Sequence, residues 1–182
     1  MAQPERIILI GLSGSGKSTL ARQISRRIGW AAVDVDSMIV ESAGMPIDEI
    51  FEFQGEAAFR RLEHQMLTRA LERKDVIIAT GGGAMACEEN REAILAGGVT
   101  VYVKSSPTKC AYYLARSWKR EKRPLLDSAG GPEELLTEQL AARGPFYEMA
   151  HLTLDAVAKD LRDLVDELEL IAAGPATTDR SF

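Results

Sequence analysis

Residues 11–18, GLSGSGKS, run in the order G-x-x-x-x-G-K-S directly after the apolar stretch RIILI. Glycines let successive backbone N–H groups curl around an anion, and a helix starting at this point adds the partial positive charge of its N-terminus. Lys17 supplies a point charge for outer phosphates and Ser18 a hydroxyl for Mg2+. The spacing therefore predicts a nucleotide phosphate cradle made of Gly14, Ser15, Gly16, Lys17, Ser18 and Thr19, against the competing reading of a glycine-rich turn that binds nothing.

Three further fragments carry chemistry. In VDVD, Asp34 and Asp36 are two residues apart, which on an extended strand puts both carboxylates on one side, where they would hold a cation or a hydroxyl donor. The plain alternative is two solvated acids at a strand end. Arg60 lies in GEAAFRRLE between Glu56 and Glu63, at the spacing of an exposed helical ion pair worth about 0.3–0.5 kcal/mol. Gly81, Gly82 and Gly83 follow the apolar run DVIIAT as either a loose turn or, since three consecutive glycines are costly in backbone entropy, a place where a ligand approaches the main chain closely.

These residues need elements to place them. RIILI reads as a buried strand, and KSTLARQISRRIG as a helix with Leu20, Ile24 and Ile28 on one face. AAVDVD is expected to be a second strand, running through Asp36. A helix from Gly55 follows, with Phe59, Leu62, Met66 and Ala70 as its stripe. DVIIAT and VTVYV read as further strands, and EENREAILAGG and SPTKCAYYLARSWKR as further helices. KREKRPLLDSAGGPEE has no clean period and is expected to be a mobile loop, and DLRDLVDELELIAA closes the domain as a helix. Strands alternating with helices predict a mostly parallel sheet covered on both faces.

Composition narrows the function classes. With 182 residues the chain is expected to form one domain, residues 1–174, followed by a flexible tail at 175–182. A net charge of -5 argues against a general nucleic-acid binder. The apolar run at 7–10 is too short for a signal-peptide core or a membrane span, so no membrane association and a cytoplasmic location are expected. Cys87 and Cys110, the two cysteines, have neither Cys-x-x-Cys spacing nor a nearby histidine pair, which excludes a disulfide framework or a zinc site.

Taken in order, GLSGSGKST, DVD, IDEIFEFQGEAAFRRLE, TGGGA, LARSWKREKRPLL and RGPFYEMAHLTLD resemble the shikimate kinase family, from residue 11 to about residue 155. The resemblance implies an α/β, three-layer P-loop kinase fold with a five-stranded parallel sheet, a substrate-binding segment at about 35–64 and a lid at about 117–132. It also implies a monomer that transfers the γ-phosphoryl group of ATP, with Mg2+, to the 3-hydroxyl of shikimate in aromatic amino acid biosynthesis. By the same resemblance, Asp36 binds the shikimate hydroxyls and accepts the proton of the attacking one, and Asp34 helps hold Mg2+ together with Ser18. Arg60 and Arg143 clamp the carboxylate, while Gly81, Gly82 and Gly83 present backbone to the ring. Arg123 is the lid arginine acting with Lys17 on the transferred phosphate, and Arg116 stacks on adenine. Phe51, Phe59 and Ile47 either wall the pocket or belong to the core.

The chain departs from the family pattern in two places: Val40 stands where a glutamate is usual, and the segment at 104–113 runs long. A kinase for a related carbocyclic or sugar acid such as an aminoshikimate, and a nucleotide-binding regulatory module without turnover, are the alternative functions.

Overall fold

A computed structural model describes residues 4–117 and 131–174 of the chain. The sheet is built on β1 (Arg6–Ile10), whose residues Ile7, Ile8, Leu9 and Ile10 are all fully buried. Around it lie β2 (Ala31–Asp34), β3 (Val76–Ala79), β4 (Val99–Lys104) and β5 (Leu152–Asp155), in the order β2-β3-β1-β4-β5. Every pairing is parallel, with Ile8 opposite Ile78 on one side and Thr100 on the other. This is the expected five-stranded parallel sheet, and the near-continuous apolar runs of β1 and β3 are what burial on both faces demands.

The period of two along each strand sorts side chains between two cores. Ile7, Leu9, Ile77, Ala79, Val101 and Val103 pack under α1 (Lys17–Ile28) and α7 (Leu161–Ala173). Ile8, Ile10, Ile78 and Tyr102 point to the opposite face. There they meet α2 (Val35–Ala43), α3 (Ile47–Leu71), α4 (Glu88–Gly97), α5 (Pro107–Ser117) and α6 (Gly131–Tyr147). None of the helices described is long and apolar enough to cross a membrane.

Three boundaries differ from the sequence reading. β2 stops at Asp34 instead of continuing through Asp36, because the Asp34 carboxylate accepts a hydrogen bond from Ser37 N at 3.1 Å and caps α2. Asp36 therefore sits in the first turn of a helix, and the same-side-of-a-strand argument does not apply to the pair. α3 starts at Ile47, well before Gly55, which breaks the helix internally with φ 79° and ψ 170°. Residues 131–134, expected in a loop, open α6, where Glu133 and Glu134 occupy the first turn and favour the positive end of the helix dipole. The rest of the expected lid, including Arg123, and the expected tail lie outside the described residues.

Candidate active site

The β1–α1 connection has the shape its glycines predict. Gly14 and Gly16 take φ values of 81° and 98°, and α1 opens on Gly16 with no side chain capping its first N–H groups. An uncapped helix N-terminus whose first residues line the cleft is suited to an anion. Gly14 is also required by packing, since a Cβ there would lie 2.6 Å from the Cys110 carbonyl oxygen and 2.8 Å from Leu114 Cγ of α5. Lys17 is only 6% exposed, and its Nζ donates to the carbonyls of Gly11 and Leu12, both at 2.7 Å. All six predicted cradle residues, 14–19, line one cleft, whose far wall includes Lys109 and Tyr113 of α5 and the turn at Lys159, Asp160 and Leu161.

A second pocket opens beside it. Its lining brings together Asp36, Arg60, the three glycines 81–83 and Arg143, which are 107 residues apart in sequence from first to last and were all expected at one site. Ile47, Phe51 and Phe59 form its apolar side, and the Phe51 and Phe59 rings pack tilted by 31° with centroids 4.6 Å apart. Ser13, Asp36, Gly82 and Leu114 line both cavities, so the phosphate cleft and the second pocket share a wall.

The glycine triplet is tight on three sides at once. A Cβ on Gly81 would come within 2.8 Å of Asp36 Oδ1 and 2.9 Å of Glu63 Oε1. One on Gly82 would meet Ser13 Oγ at 2.6 Å and Ser13 N at 2.8 Å, and one on Gly83 the Arg60 guanidinium at 2.9 Å. The triplet is thus the point where the phosphate loop, the acidic residue and the arginine converge on bare backbone.

Two positive groups face the second pocket. The Arg60 guanidinium donates to Glu56 Oε1 at 3.3 and 3.1 Å and to Glu63 Oε2 at 2.8 Å. The two partners differ: Glu56 is 68% exposed and Glu63 1%. Burial pushes the Glu63 carboxyl above its ordinary range although Arg60 pulls it down. Arg143 Nη1 donates to Gly82 O at 3.3 Å and to Gln139 Oε1 at 3.0 Å. Tyr147 Oη donates to the same Gly82 carbonyl at 2.5 Å, and its ring stacks on Tyr102.

Other predicted residues sit apart. Arg116 is exposed on α5, where its Nη1 donates to Tyr112 Oη at 2.7 Å, and it is not among the residues lining the cleft. Asp34 is engaged in capping α2 and also lies outside both linings. Sequence reasoning missed Tyr147, Ser13 and the burial of Glu63. A signal for Glu63 was present, because it falls four residues after Phe59 and three before Met66, within the apolar stripe of the helix.

Residues 13–170 match the family model described as shikimate kinase. The chain belongs to the shikimate kinase family. A shikimate kinase from Actinobacillus pleuropneumoniae serotype 5b (strain L20) is 35% identical over 177 residues, covering 93% of this chain and 100% of that protein. One from Pasteurella multocida (strain Pm70) is 34% identical over 176 residues, covering 92% and 99%. Among solved structures, a shikimate kinase from Acinetobacter baumannii in complex with shikimate matches with a TM-score of 0.85 and 34% identity, over 94% of this chain and 95% of that one. The shikimate kinase from Bacteroides thetaiotaomicron gives 0.82 and 30%, over 91% and 97%. A gluconokinase from Sinorhizobium meliloti 1021, at 20% identity and a TM-score of 0.58, shares the fold alone. The phosphate loop, Asp36 and the glycine triplet line two adjoining cavities that share a wall.

Proposed function

We propose that the protein transfers the γ-phosphoryl group of ATP to the 3-hydroxyl of shikimate, giving ADP and shikimate 3-phosphate on the route to aromatic amino acids. The observation that carries this reading is the shared wall: a pocket lined by two guanidinium groups, the carboxylates of Asp36, Asp48 and Glu63, and an apolar side opens at Asp36, Ser13 and Gly82 onto the phosphate cleft. Shikimate has one carboxylate, several hydroxyls and a ring with apolar faces, and the pocket offers a partner for each. Arg60 and Arg143 bind the carboxylate, since guanidinium forks match its planar geometry. Asp36 accepts hydrogen bonds from the ring hydroxyls.

In the transfer, the 3-oxygen bonds to the γ-phosphorus as the bond from that phosphorus to the β,γ-bridging oxygen breaks. The hydroxyl proton passes to Asp36, and ADP leaves. The transition state is loose and spreads charge over the phosphoryl oxygens, so positioning and electrostatics supply most of the acceleration. Lys17 and the N–H groups of the loop hold the outer phosphates, and Arg123 from the lid meets the moving group. Arg116, exposed on α5 outside the cleft lining, leaves its bond to Tyr112 Oη to flank the adenine.

The donor set fits Mg2+. Ser18 in the cleft offers a hard oxygen atom, with Asp34 at the end of β2 as the carboxylate that would reach the ion through water, and among the described residues no group of three or more His, Cys, Asp and Glu gathers into a protein cage. Mg2+ keeps its waters and binds mainly through substrate phosphates plus one or two side chains. When bound, it neutralises charge on the phosphates.

Coupled measurement of ADP release across a panel of acceptors tests the reading. Shikimate should be turned over with the highest kcat/KM, above gluconate and above an amino-substituted shikimate, which belongs on the panel because Asp48 adds a carboxylate to the pocket lining. Preference for another acid would keep the kinase and reject the substrate.

A further inference from the structure

Behind the Arg60 guanidinium runs a file of polar groups that starts at Glu63 in the pocket lining and continues through buried Asn90 to half-buried His64. Arg60 Nη1 donates to Glu63 Oε2 at 2.8 Å, and Asn90 Nδ2 approaches the same oxygen at 3.5 Å. Asn90 Oδ1 in turn lies 2.8 Å from His64 Nδ1. Glu63 and Asn90 are 1% and 0% exposed. Glu63 and His64 are neighbours on α3 and Asn90 comes from α4, so the file ties the two helices together behind the pocket.

Its polarity follows from donor and acceptor inventory. An amide oxygen only accepts, so His64 Nδ1 must carry the hydrogen of the 2.8 Å contact. With its oxygen committed to His64, Asn90 turns its NH2 end toward the Glu63 carboxylate, which only accepts when ionised. A flipped amide would set two acceptors against each other. The ionised Glu63 carboxylate, which only accepts, sets which end of Asn90 faces it, and His64 as the Nδ1–H tautomer holds the amide in that orientation.

Arg60 is drawn in two directions, inward by buried Glu63 and outward by exposed Glu56. The other oxygen of Glu63 faces the glycine triplet, 2.9 Å from where a Cβ on Gly81 would sit, so Asn90 is the donor that holds the carboxylate besides Arg60 among the described contacts. Losing the Asn90 donor would loosen the inward partner and let the guanidinium swing toward Glu56. We infer that Asn90, oriented by His64, is a positioning residue that fixes the Glu63 carboxylate and so aims Arg60 at the carboxylate of the substrate. This rests on the proposed role of Arg60 in binding shikimate.

The test compares two phosphoryl acceptors, shikimate and its neutral carbinol in which the ring carboxylate is reduced to CH2OH, in Asn90→Ala, His64→Leu and His64→Asn. Hydrogen bonds to charged groups are the strong class, so the first two variants should lower kcat/KM for shikimate by about tenfold, through KM, with kcat within about twofold. The carbinol, which asks nothing of Arg60, should react as well with each variant as with the wild type. His64→Asn, whose amide can offer a donor near the position of Nδ1, should restore shikimate turnover. Equal losses with both acceptors would mean general damage to packing and would overturn the inference, as would unchanged shikimate kinetics in folded variants. If Asn90→Ala does not fold, the His64 pair decides alone. Wild-type protein inert toward shikimate would remove the functional reading and this inference with it, whereas active wild type with unaffected variants removes only the inference.

Discussion

Arg60 Nη1 and Glu63 Oε2 form a 2.8 Å ion pair in which the carboxylate is almost wholly buried. Arg60 therefore has a structural task as well as the proposed one at the substrate. Arg60→Ala should weaken shikimate binding by about 2–5 kcal/mol, the cost of removing one partner from a buried charge pair. It should also lower stability by about 1–3 kcal/mol, because Glu63 loses its cation, although protonation relieves part of the cost. Calorimetric titration and a thermal melt on one preparation measure both, and the melt should fall by several degrees for a chain of this size. Unchanged affinity in the folded variant would take Arg60 out of the site.

Tyr147 should report on the same loop through pH. Burial pushes its hydroxyl up to about 12, above the ordinary 10. A raised folded value means that its contribution to stability is full below pH 10 and is lost as pH rises through about 12. Tyr147→Phe should flatten the fall in melting temperature over that interval. At neutral pH it should cost about 1–3 kcal/mol, since the Gly82 carbonyl keeps only the longer bond from Arg143. An identical alkaline profile in the variant would show that Tyr147 ionises freely.

Gly82→Ala tests whether backbone contact between the triplet and the phosphate loop sets the geometry of transfer. The new Cβ would lie 2.8 Å from Ser13 N, a backbone atom, so one of the two loops must move. A displacement near 1 Å at a reacting centre can cost about 10^2 in rate, and kcat should drop by that order. Retained kcat would show that the two loops move independently of the chemistry.

Much of this site was legible because its parts announce themselves locally. The phosphate loop is a contiguous motif whose glycines are dictated by φ and by contact with α5, and the strands of the sheet are short apolar runs between helical periods. What was not legible depends on tertiary placement. The period of two at VDVD fits a strand equally well on paper, and only the capping bond from Ser37 ends β2 at Asp34. Arg60 and its two glutamates have the spacing of a surface pair, and which glutamate is buried depends on α4 packing against α3. The opening of α6 was hidden by glycine and proline, which are tolerated in a first turn as readily as in a loop.

Arg123 lies outside the described residues, and its expected lid role comes from the family pattern around RPLL. A guanidinium that reaches the phosphates only on closure stabilises the transition state more than the bound substrate. Arg123→Ala should lower kcat by about 10^3–10^5 and leave shikimate affinity nearly unchanged. A near-normal kcat in single-turnover measurement would leave the transition-state charge to Lys17 and Mg2+.

The most direct measurement is phosphorus NMR of the wild-type protein incubated with ATP, Mg2+ and shikimate. One new phosphomonoester should appear, coupled to the ring proton at the 3-position, in step with conversion of ATP to ADP and only when both Mg2+ and shikimate are present. Intact ATP, or ADP accompanied by free inorganic phosphate in place of the ester, would contradict the assignment of shikimate as the acceptor.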